Sequence, residues 1–246
     1  MKLLSTNFRL DYGSLERGYL AVGLSLAPNV LSGHNVCPAS TPGCESACNL
    51  WFSGRSVMGT ARDAKIRRTN MLYTERDAFF KQLEQEIALS VKRADKKGLR
   101  LAVRLNTASD ILWEAIAVRD KLSVMELFPN VYFYDYTKVY KRMQKYLHGV
   151  FPANYNLTFS RSELNDSECK EVLLLGGNVA VVFSGGFPDQ FSGYRVIDGD
   201  QSDLRFLDDR GVIVGLGVKG APGKRDETGF VIYNKTSKGK WIWLED

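Results

Sequence analysis

Three of the four cysteines lie in one short segment, Cys37-Pro-Ala-Ser-Thr-Pro-Gly-Cys44-Glu-Ser-Ala-Cys48, spaced C-x6-C-x3-C. Thiolates this close in sequence converge most easily on a metal ion or an iron–sulfur cluster. Pro38, Pro42 and Gly43 make the backbone between them turn sharply. Three cysteines with one open position suit a [4Fe–4S] cluster whose fourth iron takes a further ligand. Zinc is the rival centre: His34 precedes Cys37 by three residues, and His34, Cys37, Cys44 and Cys48 would complete a Cys3His site. Against zinc stands the C-x6-C interval, which is not a short zinc-finger knuckle. Plain thiols or a disulfide are the third alternative. Cys169 stands apart in a predicted helix and reads as a small buried apolar residue, with a fourth cluster ligand as its alternative. His148 reads as a helix-end residue.

The elements that must position this loop are legible in the hydrophobic pattern. Gly18 to Leu26 predicts a buried first strand that feeds a loop from about Ala27 to Gly54. A helical region follows from Thr60 to Lys97 with a break near Thr74, where Thr74-Glu-Arg-Asp77 fits a capping box. Phe79, Phe80, Leu83, Ile87 and Val91 recur at helical spacing, and Gly98 is a stop signal. Further strands are predicted at Leu99 to Leu105, Val131 to Tyr136, Tyr155 to Ser160, Val179 to Phe183, Tyr194 to Ile197 and Val212 to Leu216. Helices are predicted at about Trp113 to Leu127, before Gly149, and at Ser167 to Leu175. Short apolar strands alternating with helices predict a parallel sheet covered on both faces. The expected fold is therefore α/β: a single-domain parallel (β/α) barrel, or a partial TIM-barrel-like fold, with a Cys-rich loop after its first strand. One domain is expected over residues 1–246. Residues 1–17 form an irregular lead-in, and residues 219–246 a basic, Gly-rich loop with short strands at Phe230 to Tyr233 and Trp241 to Trp243.

In such folds chemistry gathers at the C-terminal ends of the strands. Polar residues fall there repeatedly: Asn106, Thr107, Ser109 and Asp110 after the second strand, Lys138 after the third, Arg161 and Glu163 after the fourth, Asp198 and Asp200 after the sixth, and Lys219 after the seventh. Individually they are ordinary loop and cap residues. Together they predict a rim of converging polar groups above the sheet.

Apolar residues make up 44% and charged residues 25%, the balance of an ordinary globular chain. No run approaches the roughly 18 apolar residues of a membrane span, and the first residues are too short and polar for a signal peptide. A cytoplasmic protein with reduced thiols is expected. The net charge of +5 is modest. Arg62, Lys65, Arg67 and Arg68 lie among acidic neighbours on a predicted helix, which reads as a solvated face, with nucleic-acid or phosphate binding as its alternative.

Several of these segments carry a family resemblance. Gly23-Leu-Ser-Leu-Ala-Pro28, Asn35-Val-Cys-Pro38 with Gly43, Cys44 and Cys48, Arg104-Leu-Asn-Thr-Ala-Ser-Asp110, Phe159-Ser-Arg-Ser-Glu163, Val196-Ile-Asp-Gly-Asp200 and Asp203-Leu-Arg-Phe-Leu-Asp208 resemble the bacteriophage gene-product-88 family. The likeness spans roughly residues 16 to 235 and implies a phage protein acting in the host cytoplasm. More distantly, a three-Cys loop after the first strand of a partial barrel resembles the radical S-adenosylmethionine enzymes. Their loop is C-x3-C-x2-C and their second strand leads to a Gly-Gly-Glu-Pro segment, where this chain has Asn106-Thr-Ala-Ser109.

Two functions follow. The first is an iron–sulfur protein with its [4Fe–4S] cluster on Cys37, Cys44 and Cys48. The second resemblance implies S-adenosylmethionine as cofactor and hydrogen abstraction from a substrate. Asn106, Asp110, Arg161, Glu163, Asp198 and Asp200 are then the cofactor pocket, with Arg161 gripping the carboxylate in two places and Asn106 or Asp198 taking the ribose hydroxyls. The alternative is a non-enzymatic regulatory protein, binding iron–sulfur or zinc, that contacts a host protein or nucleic acid through Arg62 to Arg68 and Lys219 to Arg225.

Overall fold

A computed structural model describes residues 1–6, 10 and 13–233. The expected strand at Trp241 to Trp243 lies outside the described residues. The strands are β1 (Leu4–Ser5), β2 (Tyr19–Leu24), β3 (Arg100–Arg104), β4 (Tyr132–Thr137), β5 (Tyr155–Ser160), β6 (Val179–Ser184), β7 (Gln190–Phe191), β8 (Tyr194–Asp198), β9 (Ile213–Gly217) and β10 (Val231–Tyr233). They form one sheet in the order β1-β2-β3-β4-β5-β6-β9-β8-β7, with β10 pairing β6 off this path. β2 to β6 lie side by side in chain order and parallel, as successive strand–crossover units require. The two-residue end strands, β1 and β7, pair antiparallel to β2 and β8.

The fold is therefore mixed α/β with a large, mostly parallel sheet, and the expectation of a barrel narrows to that. Past β6 the chain makes the hairpin β7–β8 rather than a helix, and β9 then inserts between β6 and β8. Strand order reverses there, and the ends of the path, β1 and β7, do not pair with each other among the described residues.

Alternation along the strands divides the interior. Leu20, Val22 and Leu24 of β2, Leu101 and Val103 of β3, and Phe133 of β4 face the main core, where Phe79, Phe80, Leu83 and Ile87 of the helix Arg76–Asp95 cover them. Tyr19, Ala21, Ala102 and Tyr134 face the other way, onto Leu204 and Phe206. Because both faces are covered, β2 reads as an unbroken apolar run.

β6 has a forked neighbour. One edge is bonded to β9 from Val179 to Phe183. The other is bonded to β5 only at Val179 and Ala180, and then to β10 at Val182 to Ser184. β10 thus fills the opening where β5 diverges from β6.

Two local expectations are corrected. The helix expected from Trp113 to Leu127 is a 3-10 turn at Trp113–Ala115, a bridge between Arg119 and Leu122 around left-handed Asp120 and Lys121, and a single turn at Val124–Leu127. Ser123 and Glu126 form a capping box that starts this last turn late. The break near Thr74 is present, between helices Gly59–Thr74 and Arg76–Asp95. The capping box expected there is not formed, because Thr74 donates back to the Asn70 carbonyl and Glu75 occupies the cap without a side-chain bond. Among the described residues, no helix is long and apolar enough to cross a membrane.

Candidate binding pocket at the strand ends

The loop after β2 is held down by a carboxylate. Thr41 Oγ1 donates to Glu163 Oε2 at 2.8 Å, and the Gly43 N–H donates to Glu163 Oε1 at 2.7 Å. Thr41 also caps the short helix Pro42–Ser46, which carries Cys44. Gly43 sits so close to its support that an added Cβ would lie 2.6 Å from Phe230 Cβ and 2.9 Å from Glu163 Cδ. The Pro-Gly pair in the cysteine segment therefore serves the docking of the loop as well as its turning.

Beneath the docked loop lies a cavity of about 210 Å3. Cys37, Cys44 and Cys48 form part of its roof. Its floor consists of inward-facing strand residues, Arg104, Tyr136, Ser160, Val182 and Leu216, and its wall includes Asn106, Asp110, Lys138, Lys219 and Phe230. Lys138 is the central cation. Its Nζ donates to Ser160 Oγ at 3.0 Å, lies 5.5 Å from the centre of the Phe230 ring, and hydrogen-bonds the Cys44 side chain. Protein surrounds this ammonium closely, although the residue keeps part of its surface accessible, as one facing a cavity does. Burial alone would lower its pKa, but Cys44, Asp110 and Cys37 together raise it, so the group is an ammonium at neutral pH.

Asn106 and Asp110 line the cavity but spend their polar atoms on the scaffold. Asn106 Oδ1 accepts from Ser109 Oγ, the Ile111 N–H and Trp113 Nε1, and its Nδ2 donates to the Ile111 carbonyl. Asp110 accepts from the Lys138 N–H at 2.8 Å, Thr137 Oγ1 at 3.1 Å and Arg142 Nη1 at 2.8 Å. It therefore positions the backbone of Lys138. Arg161 sits at the fork, where it donates to Asp166 and to the carbonyls of Gly229 and Phe230. Glu163 holds the roof. Asp200 accepts from Lys219 at 2.7 Å and from the Gly217 N–H at 3.1 Å, so it reaches the cavity through Lys219. Asp198 is exposed and bonds the Asp200 N–H and Gln201.

The iron–sulfur reading of Cys37, Cys44 and Cys48 is corrected, and with it the zinc alternative through His34. Among the described residues, no group of three or more His, Cys, Asp or Glu side chains is placed to hold a metal ion. The surroundings of the thiols give the physical reason. A ligating cysteine must be a thiolate, yet burial pushes the Cys37 thiol up to about 12 and also raises that of Cys48. Cys37 Sγ is already used, accepting from the Asn29 N–H at 3.3 Å and facing the Ala108 carbonyl at 3.8 Å. The Lys138 ammonium beside Cys44 opposes a second cation. His34 instead stacks on Tyr73, with ring centres 4.1 Å apart. The [4Fe–4S] cofactor is withdrawn, and so is the S-adenosylmethionine chemistry that needed it. Cys169 is buried and points to Asn165 Oδ1, and burial pushes its thiol up to about 12.

The basic helix segment is largely occupied within the fold. Arg62 donates to the carbonyls of Trp51 and Ser56, Arg68 to those of Lys2 and Ser25, and Lys65 to the Leu50 carbonyl and Ser56 Oγ. Burial pushes Lys65 down to about 8. Arg67 is exposed.

Arg104 and Tyr136 went unnoticed in the sequence as pocket residues. The available signal was an arginine at an inward position of an otherwise apolar strand, Leu-Ala-Val-Arg. Arg104 binds both oxygens of Asp203, at 2.8 and 3.0 Å, and lies 4.5 Å from the Tyr136 ring centre.

No curated protein and no solved structure matches the chain. The profile of one family, Gene product 88, matches residues 2–234, nearly its whole length, and the chain thus belongs to the Gene product 88 family.

Proposed function

We propose that the strand-end cavity binds a small organic anion and that Lys138 recognises its charge. One observation carries this reading. The Lys138 ammonium projects into the cavity with a hydroxyl, a thiol and an aromatic ring as its immediate partners. Among the described residues, no carboxylate lies within ion-pair distance of it. Its raised pKa keeps the group charged, and an incoming anion can pair with it directly.

The remaining lining suits such a guest. Val182, Leu216, Phe230 and Val231 offer apolar contact, while Ser160 offers a hydroxyl group. Apolar walls with a few placed polar groups are the usual make-up of a small-molecule site. The convergence of these groups at the C-terminal strand ends agrees with where parallel sheets carry ligands.

The test is calorimetric titration with matched small molecules, benzoate against benzamide and benzylamine. Benzoate binds the wild-type protein and the neutral and cationic analogues do not. Lys138→Met weakens benzoate at least tenfold. Equal binding of benzamide, or benzoate binding untouched by Lys138→Met, would overturn the reading.

A further inference from the structure

A second cleft, of about 550 Å3, adjoins the first. It lies past the C-terminal end of β6, along Ser184-Gly185-Gly186-Phe187, with Lys224 on its other side. Gly217 and Val218 line both cavities, so the two are immediate neighbours. We infer that the natural ligand is a small carboxylate-bearing phosphomonoester whose phosphate sits in this second cleft, between the Ser184-Gly-Gly loop and Lys224. The inference rests on the anion reading of the first pocket and extends it.

The loop chemistry carries the argument. Gly185 and Gly186 adopt φ values of 91° and 102°, a region that side-chain-bearing residues rarely enter. A Cβ built on Gly186 meets no atom within 4 Å, so the space beside the backbone is open to a ligand. Gly186 and Lys224 are both exposed, and among the described residues the Gly186 N–H has no hydrogen-bond acceptor and the Lys224 ammonium no ion-pair partner, which leaves both open to a ligand. Consecutive glycines after a strand, a hydroxyl at Ser184 and the ammonium of Lys224 give one cleft backbone, hydroxyl and cationic donors. A tetrahedral dianion uses donors from several directions, whereas a planar carboxylate uses two. The cations are thereby divided, Lys224 for the phosphate and Lys138 for the carboxylate of the same ligand.

The experiment titrates inorganic phosphate and benzoate separately, by calorimetry and by phosphorus NMR for phosphate, into wild-type protein, Lys224→Glu, Ser184→Ala and Lys138→Met. Phosphate binding falls at least tenfold in Lys224→Glu and severalfold in Ser184→Ala, and changes less than twofold in Lys138→Met. Benzoate shows the reverse dependence, and 4-carboxyphenyl phosphate binds more tightly than either probe. If Lys138→Met abolishes phosphate binding and Lys224→Glu leaves it intact, the phosphate occupies the first pocket and the second-cleft assignment fails while the anion reading stands. Phosphate that does not bind, or binds equally to all four proteins, also overturns the assignment. Benzoate indifferent to Lys138→Met overturns the anion reading itself, whatever phosphate does.

Discussion

Lys138 keeps its charge at the cavity, and its removal separates binding from stability. In the ligand-free protein, Lys138→Met replaces an enclosed ammonium with an apolar chain of similar length. The expected outcome is a loss of no more than about 1 kcal/mol, lowering the melting temperature by at most roughly 2–4 °C for a chain of this size. The same variant loses its anion. A melting temperature lowered by roughly 10 °C or more would show that the contacts to Ser160 and Cys44 hold the fold rather than wait for a ligand. Glu163 gives the opposite case, since its two accepting oxygens fasten the loop. Glu163→Ala leaves Thr41 and the Gly43 N–H without their acceptor, at a cost of about 1–3 kcal/mol. Cys37, Cys44 and Cys48 then react faster with iodoacetamide under native conditions. Unchanged alkylation rates in Glu163→Ala would mean that the roof stays in place without its carboxylate.

At the scale of elements, the fork between β5 and β6 depends on Arg161. Its guanidinium spans Asp166 at the start of one helix and the Gly229 and Phe230 carbonyls at the entry to β10. Arg161→Met breaks this buried set and costs about 3 kcal/mol. Amide exchange at Val231 and Ile232 then accelerates before that of β2 or β3. If exchange rises evenly across the sheet, Arg161 supports the whole fold rather than this strand. The parallel strands were legible because each is a short apolar run bounded by turn residues. The crossover from β3 to β4 was not. Ile111, Trp113, Ile116 and Val118 imitate a helical face, but Asn106 captures the Ile111 N–H and the Trp113 ring nitrogen and holds the segment in an irregular path. The pairing of β9 between β6 and β8 leaves no mark in hydrophobic pattern, because a strand carries no record of which edge it will join. At the pocket, Asn106, Asp110 and Lys138 were visible as strand-end residues. Arg161 and Glu163 were visible too, but as free charges, whereas the fold spends both on internal partners. The cysteines misled for a related reason: closeness in sequence gives proximity, while burial and a neighbouring ammonium decide whether sulfur can act as an anionic ligand.

Across the whole molecule, the acid groups inside the fold set how stability varies with pH. Asp135 is buried below the pocket and accepts from the Asn106 N–H and Tyr155. Burial pushes it up to about 7, against the opposing pull of Arg142 and these hydrogen bonds, and burial pushes Asp208 up to about 6. An unfolded aspartate titrates near 4. Between these values the folded chain holds more protons than the unfolded one, so stability is fully present below about pH 4 for these groups and falls as pH rises through 6 and 7. The melting temperature is accordingly higher at pH 5 than at pH 8, and Asp135→Asn flattens the difference. A profile that rises over this interval in the wild-type protein would show that Asp135 stays charged inside.

The wedge of β10 into the fork carries a consequence for the order of events on the ribosome. Phe230 and Val231 line the first cavity, yet the seven strands from β2 to β8 that frame most of the sheet, with β9 after them, are synthesised before either residue exists. The nascent chain can therefore lay down its sheet while the binding chamber still lacks a wall. Competence for ligand arrives as a discrete late step in translation, when residues 230–233 clear the exit tunnel and slot between β5 and β6. A released chain ending a few residues before Phe230 would keep the other strands of the sheet and lack this wall of the chamber.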